Sequence, residues 1–269
     1  MFPQWLLQIR GSVPRTAGIV LGLVPVFALI ALWWFITRGA PEERIIGPSS
    51  LPSPVEVLNS VSELFTSRDV VHNAIVSLRR VALGYLLAVA ICLPLGILMA
   101  SFGSVRALFA PSATACGYIP IVALAPIMML LLGLGERHKV VFLALAFGIY
   151  LLPQIVAAID SVGDVYLRTA YTLGASRLQI IRRVLIPVAL PSIWQGMRLA
   201  FGVGWTYLVF VEMFVIEDGL GALIGISQRR GPREHIYLII VLITLIAWVS
   251  DLIWGRLGQL LFPYQRKTA

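Results

Sequence analysis

Six stretches of this chain are apolar for long enough to cross a bilayer as helices, and no other feature constrains the fold as strongly. They lie near residues 17–37, 83–101, 108–133, 140–158, 192–216 and 237–262, and a crossing takes roughly 20 helical residues. Hydrophobic residues make up 59% of the 269 positions and charged ones 13%, with a mean hydropathy of +0.90, which is far from the balance of a soluble domain. The expected fold is therefore all-α, a polytopic membrane bundle of about six transmembrane helices. The first run follows Arg10 and Arg15, ends in Trp33-Trp34-Phe35 and lacks a small-residue cleavage site, so it reads as a retained span.

The same composition and spacing argue against several functions. A net charge of +8 is spread among the apolar runs without a basic helix or an aromatic-interleaved patch, so no nucleic-acid partner is expected. Lys139 and Lys267 are the only lysines and neither follows a glycine, which excludes a phosphate-binding G-K-[S/T] loop. His72, His138 and His235 lie apart at span edges and read as interfacial polar residues. Cys92 and Cys116 fall inside spans without metal-ligand spacing and read as small buried apolar residues. No metal site follows. Gly18 and Gly22 form a G-x-x-x-G pair that permits close helix approach, a weak signal in an apolar span.

Two polar segments stand out. In the first, residues 38–73, "GPSSLPSP" reads as a turn-rich linker. Ser53, Pro54 and Glu56 then supply an N-cap, a first-position proline and a capping box. An amphipathic helix should follow, with Val57, Leu58, Val61, Leu64 and Phe65 on its apolar face. The second segment, "YTLGASRLQIIRRVLIPVALP", holds three arginines, a glycine and two prolines between two spans. Asp164 can cap a helix through Tyr166, Leu167, Ala170 and Leu173 that stops at Gly174, the residue best suited to a left-handed C-terminal conformation. After Ala175, Ser176 and Gln179 make a capping box for a second helix. Its apolar face would be Leu178, Ile181, Val184 and Leu185, with Arg177, Arg182 and Arg183 elsewhere. Pro187 is expected to end it and Pro191 to set the entry to the fifth span. Such a connection is much longer than the usual few residues between packed helices, and long ordered loops commonly carry function.

Ionisable groups inside spans are few and each requires a reason. Glu212 in the fifth span could belong to a pathway or form a structural hydrogen bond between helices. Arg198 could snorkel near that span's entry, and Asp251 could pair with Arg256 at an i, i+5 spacing. Trp205 and Tyr207 could line a pathway or pack. Pro120 and Pro126 should interrupt the third span, and open backbone at membrane depth is tolerated where it lines a cavity; the third and fifth spans are the expected pathway walls. Arg79, Arg80, Arg137, Lys139, Arg229, Arg230 and Arg233 suggest a basic rim on one face.

The stretch "RTAYTLGASRLQIIRRVLIPVALP" resembles the EAA loop of importer permeases of the ATP-binding cassette superfamily, with Gly174 at the motif's glycine and Ile186-Pro187 at its terminal Leu-Pro position. The Glu-Ala-Ala of the motif falls on Arg168-Thr169-Ala170. "LPSP" at 51–54, "SLRRVALGY" at 77–85, "IPIVALAPI" at 119–127, "GLGERHK" at 133–139, "GMRLAFGVGWTYLVFVEM" at 196–213 and "GLGALI" at 219–224 are similar to the subgroup that imports nitrate, sulfonates, taurine and related small anions. The resemblance implies two copies forming a pathway between them and two separate ATPase subunits that bind ATP and Mg. Each ATPase accepts a coupling helix at about residues 166–176. An extracytoplasmic solute-binding protein completes the assembly. It implies no cofactor and no covalent chemistry in this chain.

The face holding residues 102–107 and 159–191 carries eleven Lys and Arg, the other ten, so the positive-inside rule does not choose an orientation. The resemblance does, placing the EAA loop and both termini in the cytoplasm of a bacterium, in its inner membrane. The implied layout is a cytoplasmic segment 1–16, a first span 17–37, an extracytoplasmic linker 38–76, a permease core 77–262 with the loop at 159–191, and a tail 263–269. A stand-alone secondary transporter or channel would instead show internal repeats and buried ion-coupling groups.

Overall fold

A computed structural model describes residues 13–265 apart from 216; Arg10, Arg266 and Lys267, together with most of the expected N-terminal segment and tail, lie outside the described residues. The described chain is helical, with no strand among the described residues. Its elements are α1 (Arg15–Ile36), α2 (Pro54–Asn59), α3 (Val61–Ser67), α4 (Val70–Ser101), α5 (Gly103–Gly117), α6 (Ile121–Leu132), α7 (Glu136–Asp160), α8 (Asp164–Thr172), α9 (Arg177–Ile180), a π-turn (Ile181–Leu185), α10 (Ile186–Phe214), α11 (Leu220–Arg230) and α12 (Glu234–Leu261).

Close helix approaches at glycine fix the direction of three spans. A Cβ on Gly84 would lie 2.7 Å from Leu143 Cβ, and one on Gly96 would lie 2.6 Å from Ile155 Cγ2, so α4 and α7 pack in parallel. Gly196 meets Gln154 and Gly204 meets Phe147 in the same manner, which makes α10 antiparallel to α7. Ion pairs mark the ends: Arg80 with Glu136 at the start of α7, and Arg106 with Asp160 at its finish. α5 and α6 therefore connect one face of the bundle to the other as a single broken span.

The break in that span bends the two helices by 102° at Tyr118–Pro120. Pro120 is the N-cap of α6, while Pro126 lies inside α6 without ending it. The missing N–H of proline is tolerated at a helix start, so the interruption expected of both prolines falls at Pro120 alone. Cys116, expected to be buried, is exposed on α5, whereas Cys92 is buried.

The single amphipathic helix expected after Ser53 is two short helices, α2 and α3, broken at Ser60. The capping box forms as expected, with Glu56 also taking a bidentate pair from Arg44 at 2.9 and 3.0 Å. That guanidinium pulls the Glu56 carboxyl down to about 2. Val57 and Leu64 are buried, and α2 and α3 pack on α12, while Leu58 and Phe65 remain exposed. The Trp33 indole donates to Pro52 O at 2.9 Å and the Tyr237 hydroxyl to Ser50 O at 2.7 Å. These bonds hold the end of α1 and the linker against the start of α12, so the starts of α1 and α12 lie on opposite faces.

α11 has no counterpart among the expected spans. At 11 residues it is too short to cross a bilayer, yet Leu220–Gly225 are buried between α4, α10 and α12.

Candidate functional site

On the face holding Asp160, α8, Gly174, α9 and the π-turn form a hairpin outside the spans. Gly163 is the N-cap of α8, and Asp164 is its first residue with no side-chain cap, so the expected Asp164 cap is not made. The C-terminal end is a complete Schellman arrangement. Gly174 N–H donates to Tyr171 O at 2.9 Å, and Ala175 N–H donates to Ala170 O at 3.0 Å. Gly174 has φ +76°, the left-handed conformation this motif requires. Ser176 and Gln179 then form the reciprocal capping box, at 3.4 and 2.7 Å.

Pro187 does not end the second helix. The Ile186 N–H reaches Ile181 O, opening a π-turn over Ile181–Leu185, and the chain continues into α10 as one helix from Arg177 to Phe214. The wider turn falls just where Pro187 would press its ring against the Arg183 carbonyl in an α-helix. Pro191 sits inside α10. A continuous helix thus runs from the hairpin to the far side of the bundle.

Leu167 and Ala170 turn toward the bundle, and Leu167, Tyr171, Arg177 and Ile180 close a cavity of about 340 Å³ under the α4–α5 turn at Ser101–Ser104. Val165 (73%), Tyr166 and Arg168 of α8 and its C-cap Leu173 (81%) are exposed. Apolar side chains this open, on an element outside the spans, form a contact surface and not a core.

At the other face a polar cluster joins four helices. Glu212 is fully buried, accepting from Arg80 Nη1 at 2.7 Å, the Ser77 hydroxyl at 2.9 Å and Gly221 N–H at 2.8 Å. Leu220 N–H donates to Ser77 Oγ, and Gly219 N–H donates to Asn73 Oδ1 at 2.6 Å. The first amides of α11, which have no partner within their own helix, are thus satisfied by α4 and α10. Arg80 also binds Glu136 and Asp218 O, and Lys139 binds Glu217 at 3.1 Å. Arg80 and Lys139 are consequently buried and paired. Of the expected basic rim, Arg79, Arg137, Arg229, Arg230 and Arg233 remain exposed.

The span residues separate likewise. Arg198 neither snorkels nor stands free: it grips Asp251 of α12 through two bonds of 2.5 Å, so Asp251 does not pair with Arg256. Trp205 is buried against Phe201. Tyr207 is half-buried and shares a hydroxyl contact of 3.0 Å with Tyr150. Of the expected pathway residues, only Pro120 and Pro126 are fully open. Sequence reading did not bring out Asn73, Ser77 or Glu136; the signal for them is the unpaired N-terminus of a buried short helix, visible only once α11 is recognised.

The chain is 29% identical over 256 residues to the taurine transport system permease protein TauC of Escherichia coli K12, covering 93% of this chain and 92% of that protein. It is 27% identical to the putative aliphatic sulfonates transport permease protein SsuC of Bacillus subtilis 168, covering 91% and 92%. The fold matches the MetNI methionine ABC transporter in an inward-facing conformation, with a TM-score of 0.64 at 17% identity over 71% of this chain and 94% of that one. Residues 92–267 match the family described as binding-protein-dependent transport system inner membrane component. With its apolar spans and external hairpin in place, the chain belongs to that family, as the permease component of an ABC importer.

Proposed function

We propose that this chain is the membrane pathway subunit of an ATP-driven importer for a small anionic solute of the sulfonate, taurine or nitrate class. Two copies enclose the pathway, and each lays its hairpin in a groove of a separate ATPase subunit that binds ATP and Mg. The observation that carries this reading is the exposed apolar set Val165, Tyr166 and Leu173, on α8 and its C-cap, beside a Gly174 turn and joined to a continuous 38-residue helix. Tyr166, Arg168, Ala170, Leu173, Gly174, Ala175, Ser176, Arg177 and Pro187 are the coupling residues. ATP-driven closure of the ATPase pair displaces the hairpins, and α10 carries the movement across the membrane as rigid-body switching.

The hairpin face is then cytoplasmic, with both termini, in a bacterial inner membrane, and the α11 face meets an extracytoplasmic binding protein. The relatives' names supply the solute class: taurine, aliphatic sulfonates and, for the nitrate import permease protein NrtB of Synechococcus elongatus, 25% identical over 251 residues, nitrate. Arg168 stands exposed on the docking side, so an ATPase groove with an acidic residue opposite it fits best. Co-expression with the cognate ATPase tests the reading. A complex that survives purification and is lost in the Leu173→Asp variant supports it, and uptake by the permease alone, with no ATPase bound, contradicts it.

A further inference from the structure

One side of α10 carries polar groups within the membrane. Ser192, Gln195 and Thr206 are all exposed, on one helical stripe that also holds the exposed Leu199 and Gly202 between Gln195 and Thr206. Beside it, across the α7–α10 groove, α7 exposes Tyr150 and Gln154, and the Tyr150 and Tyr207 hydroxyls meet at 3.0 Å. Tyr150 lies ten residues from the end of α7 at Asp160, about 15 Å into the span at 1.5 Å per residue. The hydroxyl pair therefore sits near mid-membrane.

A helix hydroxyl can donate to the carbonyl one turn back, as Thr244 of α12 does to Ile240 O at 2.8 Å, but hydrocarbon cannot satisfy the carboxamides of Gln154 and Gln195, so a lipid-facing surface would not carry them. Beyond Thr206 the same arc becomes apolar with Phe210, which stacks on Phe142 and packs on Phe214 at a ring separation of 4.7 Å. The polar part thus opens toward the hairpin face and is bounded by aromatic rings on the other side. The one cation at its edge, Arg198, is neutralised by Asp251 through both oxygens.

We propose that this surface is a solute-contact site that holds an oxyanion through uncharged donors alone: the one O–H of the Tyr150–Tyr207 pair that their mutual hydrogen bond leaves free, the Thr206 hydroxyl and the carboxamide N–H groups of Gln154 and Gln195. The inference rests on the permease reading and adds the chemistry of the contact. A free guanidinium would bind a sulfonate or nitrate by charge-assisted bonds. A transport site must instead bind weakly enough to release, and neutral donors meet both demands. The two-fold partner encloses the same surface from the opposite side.

Cysteine accessibility in the assembled transporter, with its ATPase subunits bound, tests this. In a Cys92→Ala, Cys116→Ala background, Thr206→Cys, Gln195→Cys and Tyr150→Cys are reacted in inside-out membrane vesicles without ATP. The probes are a sulfonate-bearing and a trimethylammonium-bearing methanethiosulfonate. Expected is modification of all three at least 10-fold faster than Leu245→Cys on the exposed side of α12. The sulfonate-to-ammonium rate ratio should exceed that of a free small thiol in solution. Rates no faster than Leu245→Cys would overturn the site, whether lipid or the second copy covers the stripe. Fast modification with a ratio at or below the free-thiol value would overturn the oxyanion assignment. ATPase co-purification, scored on the same samples, reports separately on the permease reading.

Discussion

Arg80 of α4 and Glu212 of α10 meet at 2.7 Å, both sealed from solvent, and between them they fix the start of α11. Removing Arg80 leaves the buried Glu212 carboxylate without a counterion, whereas removing Glu212 leaves Arg80 with Glu136 alone, the milder loss. Breaking such a pair costs about 3–5 kcal/mol. Arg80→Met and Glu212→Gln should each lower the thermal unfolding midpoint of the detergent-solubilised protein sharply. The double variant should recover part of the loss, and a strictly additive double variant would show that the pair is not coupled.

Gly221 gives a steric version of the same test. A Cβ there would sit 2.7 Å from Val209 O and 2.8 Å from Glu212 Cβ. Gly221→Ala should cost about 1–3 kcal/mol by overpacking, read as a lower unfolding midpoint. Gly22→Ala, with nothing within 4 Å, should leave the midpoint of the isolated chain unchanged.

The Arg198–Asp251 pair joins α10 to α12 inside the membrane. A charge left alone at a helix centre costs about 2.5–3.5 kcal/mol, so Arg198→Asp and Asp251→Arg should each reduce the amount of folded protein recovered from membranes. The exchanged double variant should restore it, as measured by size-exclusion of the solubilised protein.

Outside the spans, pH acts through Glu56. Its carboxyl is held down to about 2 by Arg44, below the ordinary carboxylate value near 4.3. The folded state therefore binds this proton more weakly than the unfolded state. The pair's contribution is complete above the ordinary value and is lost as pH falls from there through about 2. The protection of amides in residues 44–59, taken relative to the intrinsic exchange rate at each pH, should hold at pH 5 and fall toward pH 2–3, and Arg44→Ala should show reduced protection already at pH 5.

Much of the hairpin was legible from residues 164–187. Gly174, Ser176 and Gln179 use local chemistry, a left-handed turn and a capping box, and local chemistry is written in neighbouring residues. The spans were legible as apolar runs, but their ends were not, because Val70 to Val81 and Glu136 to Lys139 are polar-marked helix whose charges are satisfied by distant partners. Arg80 and Lys139 looked like a rim for the same reason. Pro187 was misplaced because a proline forecasts trouble for an α-helix, whereas a π-turn absorbs it. α11 was invisible because its burial is set by three other helices.

Gly174 is the proposed point at which ATPase closure enters α10. Gly174 holds φ +76°, which a β-branched residue adopts only under strain, while nothing crowds the position within 4 Å, so the effect of substitution is conformational. The decisive measurement is solute uptake and ATP hydrolysis, taken together, in proteoliposomes of the complete importer carrying Gly174→Val. Hydrolysis without uptake, or failure of the ATPase to assemble, is expected of a hairpin that couples. Uptake and hydrolysis coupled in the wild-type ratio would contradict it.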